Sequence, residues 1–365
     1  MTKTDFDTCN SSTSKNISFR LRIPVTSNKD DVWGVIAHEW LPVEEDTQFE
    51  IDSEGIKYII NGFDDRGRGR EEVSRHFNPS FHFFEVEIFI KDVNTDILDL
   101  IRGSTVDMVD EGSTCGAAYA ALVRKFLKQA ITIINRMIDY LRVEKGQSWL
   151  RPHAINDGML TTFSYIFNCM VKIDNDKYLP WHINCAQVVG PFSISSLLSR
   201  EVPSYYLLSD DWQRLISYTR SSANLPTVLE LLSNAELLFT QGNLRSAVIE
   251  GVIALEIAVN RFCEKPNVQE RKDLSNSKQS LSGLKKTLDH IGFSTTFIYL
   301  LPLVFTEEQF SADLFINCKN AIELRNTIVH QGQKRILVEN AEGSVAVRRK
   351  ACEILRSFTK ERVAY

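Results

Sequence analysis

Apolar and polar positions alternate near the start of the chain and recur at helical steps towards its end. After a polar leader, β-favouring residues cluster in short runs: Ile17 to Val25, Trp33 to Trp40, Phe49 to Asn61 and Phe81 to Ile90. In the last run Val86, Ile88 and Ile90 face one way and Glu85 and Glu87 the other. A period of two predicts a half-buried strand. Turn chemistry separates the runs, at Ser27 to Asp30, Asp52 to Gly55 and Asn61-Gly62. Between Asp64 and His76 charge is dense, and Arg66, Arg68 and Arg70 sit beside Asp64, Asp65, Glu71 and Glu72. Mixed charge of this kind reads first as a solvated loop, with RNA contact as the other reading.

From Thr114 the period changes. Leu122, Phe126, Ile131, Ile134, Met137, Ile138 and Leu141 recur at three- and four-residue steps behind a Ser113 cap, which predicts a long amphipathic helix to Val143. Residues 150 to 205 are ambiguous. Thr161 to Ile173 and Trp181 to Val189 read as strands around an Asn175-Asp176 turn, which would return the chain to the first sheet. Beyond Pro203 everything reads as helix. Ser209 caps one that carries Asp210 and Asp211 in its first turn. Leu225 to Thr240 is amphipathic and stops at Gln241-Gly242-Asn243. Leu244 to Phe262 follows, with Leu244, Val248, Val252, Leu255, Val259 and Phe262 on one stripe. Two helices joined by a glycine turn predict an αα-hairpin. The expected fold class is α+β: a leader (1–15), a β-rich α+β domain (16–204) and an all-α helical bundle (205–365).

Composition narrows the function classes without naming one. The 365 residues are 43% hydrophobic and 24% charged, the usage of a globular protein of about two domains. The net charge of −5 argues against a protein that coats long nucleic acids. From Tyr206 onwards, however, 20 Lys/Arg face 18 Asp/Glu, so the acidic excess lies earlier. Seven cysteines, with no C-x-x-C pair, read as reduced, mostly buried thiols. The polar leader lacks the apolar core of a signal peptide, and the longest apolar run, Phe297 to Phe305, is too short for a membrane span. A cytoplasmic protein without membrane partners is expected.

The chemistry concentrates in Ala321-Ile322-Glu323-Leu324-Arg325-Asn326-Thr327-Ile328-Val329-His330-Gln331-Gly332. It places an arginine, an amide and a histidine near the end of a helix stopped by Gly332. Asn326 and His330 share a face, and the long Arg325 side chain can curl towards it. Ile322, Leu324, Ile328 and Val329 are expected to supply packing. A guanidinium grips phosphate, an amide can orient it, and an imidazole moves protons near neutral pH. Those parts suffice to cut RNA without a metal or other cofactor: histidine draws the 2′-OH proton and arginine stabilises the charged phosphoryl oxygens. The structural alternative is a helix end where Arg325 pairs with a carboxylate and His330 bonds the last carbonyls.

Arg325-Asn326-x-x-x-His330, on a late helix of an all-α region, resembles the signature of HEPN domains. The upstream string Ala247-Val248-Ile249-Glu250-Gly251-Val252-Ile253-Ala254-Leu255-Glu256 is similar to the long first-hairpin helix of the Apea-like HEPN group. The resemblance covers roughly residues 205 to 362. It implies a metal-independent endoribonuclease of toxin or antiviral defence systems, working as a homodimer on RNA and restrained or triggered by a partner such as an antitoxin. Other members of the family are non-catalytic modules for dimerisation, partner binding or nucleotide binding. Arg325, Asn326 and His330 match the motif. Glu256 is a further candidate, since some members carry an acid on this helix; Arg325 would be its natural partner, and a local salt bridge is the other reading. Lys285 and Lys286 belong to a basic set, with Lys265, Arg271, Lys272 and Lys278, that reads as a solvated loop or as a track for an RNA backbone.

Other signals fall away. His182-x-x-Cys185 looks like half a metal site, but no second pair stands at zinc spacing. Gly112-Ser113-Thr114-Cys115-Gly116 is not in the order of a nucleophile elbow and opens a helix. Walker A, Rossmann and H-E-x-x-H patterns are missing from the sequence.

Overall fold

The computed structural model describes residues 15–25, 35–36, 48–63, 80–81, 83–104, 114–155, 166–174, 176–182, 209–264 and 293–359. The charged segment around Arg66 to Arg70, Ser113, the basic residues from Lys265 to Lys286, and Cys185 lie outside them. The fold is α+β. The chain divides into two compact units, one of residues 1–141 and 150–222, the other of residues 142–149 and 223–365.

In the N-terminal unit an antiparallel sheet is built from β1 (Lys15–Pro24), β3 (Phe49–Ser53), β4 (Ile56–Phe63), β6 (Phe83–Val93), β7 (Phe167–Ile173) and β8 (Leu179–Pro180). Its order is β3-β4-β6-β1-β7-β8, and β2 (Val35–Ile36) pairs separately with β5 (Ser80–Phe81). The period of two sets the register. Phe19, Leu21 and Ile23 of β1 and Val86 and Ile88 of β6 are fully buried. On the other face Arg20 stands opposite Glu87 and Arg22 opposite Glu85. Arg20 Nε donates to Glu87 Oε1 at 2.9 Å and Arg22 Nε to Glu85 Oε2 at 3.3 Å. A slip by one residue would put every one of these charges into the core. Strand β7 does return the chain to this sheet, pairing with β1.

Two helices follow β6: α1 (Thr95–Gly103), capped by Asn94 through the amide of Asp96, and α2 (Thr114–Val143). The long helix buries Phe126, Ile131, Ile134, Met137, Ile138 and Leu141 as expected, whereas Leu122 is half-buried and Val123 takes the core position. Phe126 stacks on Phe19 with ring centres 4.7 Å apart, and the buried Tyr58 hydroxyl donates to Gln129 Oε1 at 2.6 Å. Next comes α3 (Ser209–Arg220), which the sequence groups with the helical part. It packs with the sheet: Trp212 meets Phe49 edge-on, and Arg136 of α2 caps its C-terminus, donating to the carbonyls of Tyr218 at 3.0 Å and Ser221 at 2.8 Å.

The C-terminal unit is helical. The predicted hairpin is α4 (Thr227–Thr240) and α5 (Leu244–Glu264), turned at Gly242, whose φ of +76° suits glycine. Val248, Val252, Leu255, Val259 and Phe262 are buried along the expected stripe. After it come α6 (Phe293–Val304), α7 (Ala312–His330) and α8 (Val338–Thr359). Arg349 of α8 grips Glu236 of α4 with both ends of its fork, Nη2 lying 3.0 Å from Oε2. Among the described residues no helix is long and apolar enough to cross a membrane.

Candidate functional site

Helix α7 carries the site. Ser311 caps its start by accepting from the amide of Leu314, and Gly332, with φ of +69°, follows its end one residue past Gln331. Leu314, Cys318, Ala321, Ile322 and Ile328 form its buried side. Ile328 joins Val248 and Ala341 in a small core, with Leu324, Ile249 and Ile336 packed against it, and this holds the last turns in place. One expected packing residue does not pack: Val329 is 47% exposed, because its position on the helix turns it away from α5 and α8.

Arg325, Asn326, His330 and Glu256 line one cleft of about 320 Å³. The motif residues come from α7 and Glu256 from α5. Val252 and Ile322 add apolar wall, and Phe293 and Ser294 from the first turn of α6 complete it. His330 is exposed, while Arg325, Asn326 and Glu256 are half-buried. Arg325 Nη1 donates to Asn326 Oδ1 at 3.0 Å, and Asn326 Nδ2 donates to Ser294 Oγ at 3.2 Å. The Arg325 Nε is buried and finds no acceptor among the described residues.

The expected partnership of Arg325 with Glu256 is not formed. Both line the cleft, but the guanidinium turns to Asn326, its neighbour in sequence, and no ion pair joins it to the carboxylate among the described residues. Nor does Arg325 sit in any other salt bridge among them, as the helix-end alternative would require of it. Lys285 and Lys286 lie outside the described residues. Phe293 and Ser294 were not legible as site residues, because a phenylalanine and a serine opening an apolar helix carry no motif. Among the described residues no group of three His, Cys, Asp or Glu side chains is placed to hold a metal ion.

Chemically, the cleft offers a fixed positive charge with donors to spare, an imidazole at its mouth, a carboxylate, and apolar wall on three helices. Such a surface can hold a compact anion with an apolar or aromatic body beside it. Fold and cleft together define an α+β protein whose helical unit carries a polar, arginine- and histidine-bearing site. No family model, curated protein or solved structure matches the chain.

Proposed function

We propose that the protein is a HEPN-type endoribonuclease that cuts RNA without a metal ion, acting in the cytoplasm as a homodimer in a toxin or antiviral defence role. One observation carries the reading: Arg325, Asn326 and His330 of α7 and Glu256 of α5, with the whole of α6 between them in sequence, line a single open cleft in which no carboxylate among the described residues engages the arginine or the histidine. His330 takes the proton of a ribose 2′-OH. The oxygen attacks the adjacent phosphorus, the bond to the 5′-oxygen breaks, and that oxygen takes a proton from water as the His330 imidazolium returns its own to solvent, giving a 2′,3′-cyclic phosphate and a 5′-OH. Arg325 offsets the charge that builds on the phosphoryl oxygens. Lys285 and Lys286 hold the RNA backbone, and the N-terminal unit receives the trigger, antitoxin or substrate.

A second reading, a non-catalytic HEPN module that binds a partner or nucleotide, is favoured by Glu256, whose carboxylate shares the cleft that a phosphate would enter. Incubation of the intact protein with RNA in EDTA separates the two. The wild type should release cyclic-phosphate ends, leave DNA and 2′-O-methyl RNA intact, and lose about 10²- to 10⁴-fold in rate with His330→Ala and about 10²- to 10³-fold with Arg325→Ala. Equal cutting by the variants, or cutting of 2′-O-methyl RNA, would refute the ribonuclease reading.

A further inference from the structure

The carboxamide of Asn326 is occupied at both ends. Arginine has donors only, so the atom facing Arg325 Nη1 must be the oxygen, and the amide nitrogen must then face Ser294. Its orientation is therefore fixed by its two partners. Asn326 in this arrangement links α6 to the guanidinium of α7. Side chains at neighbouring helical positions diverge by about 100°, so Arg325 must fold sideways to reach Asn326. Its Nε adds no competing anchor among the described residues. The Nη1 contact is thus what sets the direction in which the remaining guanidinium donors point.

We infer that Ser294 is a positioning residue: through Asn326 it fixes the Arg325 guanidinium in the cleft. Its effect on rate rests on the ribonuclease reading; its effect on geometry does not. Ser294 stands in the first turn of α6, half-buried, and its hydroxyl accepts from the amide. Threonine retains that oxygen, and valine replaces it with a methyl group of nearly the same size.

The experiment compares wild type with Ser294→Thr, Ser294→Val and Ser294→Ala in the full-length protein. NMR spectra of the Asn side-chain amides and the Arg guanidinium groups, assigned with Asn326→Ala and Arg325→Lys, report the geometry directly. RNA cleavage reports the consequence. Valine and alanine should shift the Asn326 amide and broaden or move the Arg325 Nη signals, and threonine should leave both near wild type. The kcat should fall about tenfold in the valine and alanine variants, the scale of one lost positioning hydrogen bond, with KM within about twofold. Alanine adds no bulk and keeps the comparison valid if valine disturbs packing. Unmoved Asn326 and Arg325 signals in Ser294→Ala overturn the inference, as does equal loss with threonine and valine. If wild type cuts no RNA yet the signals move and threonine restores them, Ser294 keeps its positioning role and the ribonuclease reading falls.

Discussion

At the scale of single residues, Arg348 of α8 is fully buried against Val248 and Gly251 of α5. Its Nη1 donates to the carbonyl of Val248, while Nε and Nη2 find no acceptor among the described residues. Burial lowers the guanidinium pKa to about 10, raises that of the neighbouring Cys318 thiol to about 12 and pushes that of the Cys352 thiol up as well, so neither cysteine supplies a counter-charge at neutral pH. A methyl group on Gly251 would lie 2.6 Å from Arg348 Cζ and 2.7 Å from its Nε. Helix propensity alone would make Gly251→Ala stabilising by about 1 kcal/mol. Overpacking a fully buried side chain costs about 1–3 kcal/mol, so the variant should be less stable by urea denaturation. Arg348→Met should be at least as stable as wild type, since it removes an uncompensated buried charge. Adding Gly251→Ala to it should then be harmless, and a full loss in the double variant would show that the clash is not with Arg348. In the N-terminal unit His153 offers a pH test. Burial holds its imidazole below the usual value of 6.5, although Nε2 bonds the Pro24 carbonyl at 2.7 Å. The unfolded chain therefore takes up this proton at higher pH than the folded one. The contribution is complete above about pH 6.5 and is lost as pH falls below it. Urea midpoints at pH 7.5 and 5.5 should differ less in His153→Gln than in wild type, and an unchanged difference would exclude His153 as the source.

At the scale of elements, packing partners decided what periodicity left open. The alternation of Val86, Ile88 and Ile90 with Glu85 and Glu87 was sufficient to identify β6 and its buried face, because one sheet face meets α2 and the other carries the Arg20 and Arg22 ladder. The glycine stops at Gly242 and Gly332 were legible for the same reason: each takes a positive φ that few other residues tolerate. The home of α3 was not legible. It depends on Arg136, which in sequence looks like a solvated charge on an amphipathic helix and in the fold bonds two carbonyls at the end of α3 while stacking 4.5 Å over Tyr218. In the same way the α7 motif was legible, and the Ser294 wall was not, since long-range partners of an amide leave no trace in spacing. Arg136→Met keeps the apolar stem and removes the donors. It should cost about 1.5–3 kcal/mol, the worth of hydrogen bonds from a charged group. Amides of residues 209–220 should exchange faster with solvent while those of β6 hold. Equal exchange in the variant and wild type would mean that α3 is held by Trp212 and Tyr218 alone.

At the scale of the molecule, the two units are not consecutive in sequence. Residues 142–149, the end of α2 and the turn after it, belong with the C-terminal unit although the rest of α2 belongs with the sheet. Arg349 Nη1 donates to the Val143 carbonyl at 3.4 Å, and Arg356 Nη2 lies 3.7 Å from Glu144 Oε1. Gln147 is fully buried and Ser148 nearly so. A helical fragment cut where the sequence changes character, residues 205–365, would thus carry α3 away from its partners and leave α8 without this segment. Arg356 would lose Glu144, and Arg349, still held by Glu236, would lose the Val143 carbonyl. The fragment should be less stable than the same helices in the whole chain by about 1–3 kcal/mol, judged from the loss of partly buried charged contacts. Hydrogen exchange along α8 measures this at the place where it matters: amides near Arg349 and Arg356 should lose protection in the fragment. Restoring residues 142–149 ahead of residue 223 through a flexible linker should recover it. If α8 is equally protected in the bare fragment, the inserted segment is dispensable, and the helical unit folds from its contiguous sequence alone.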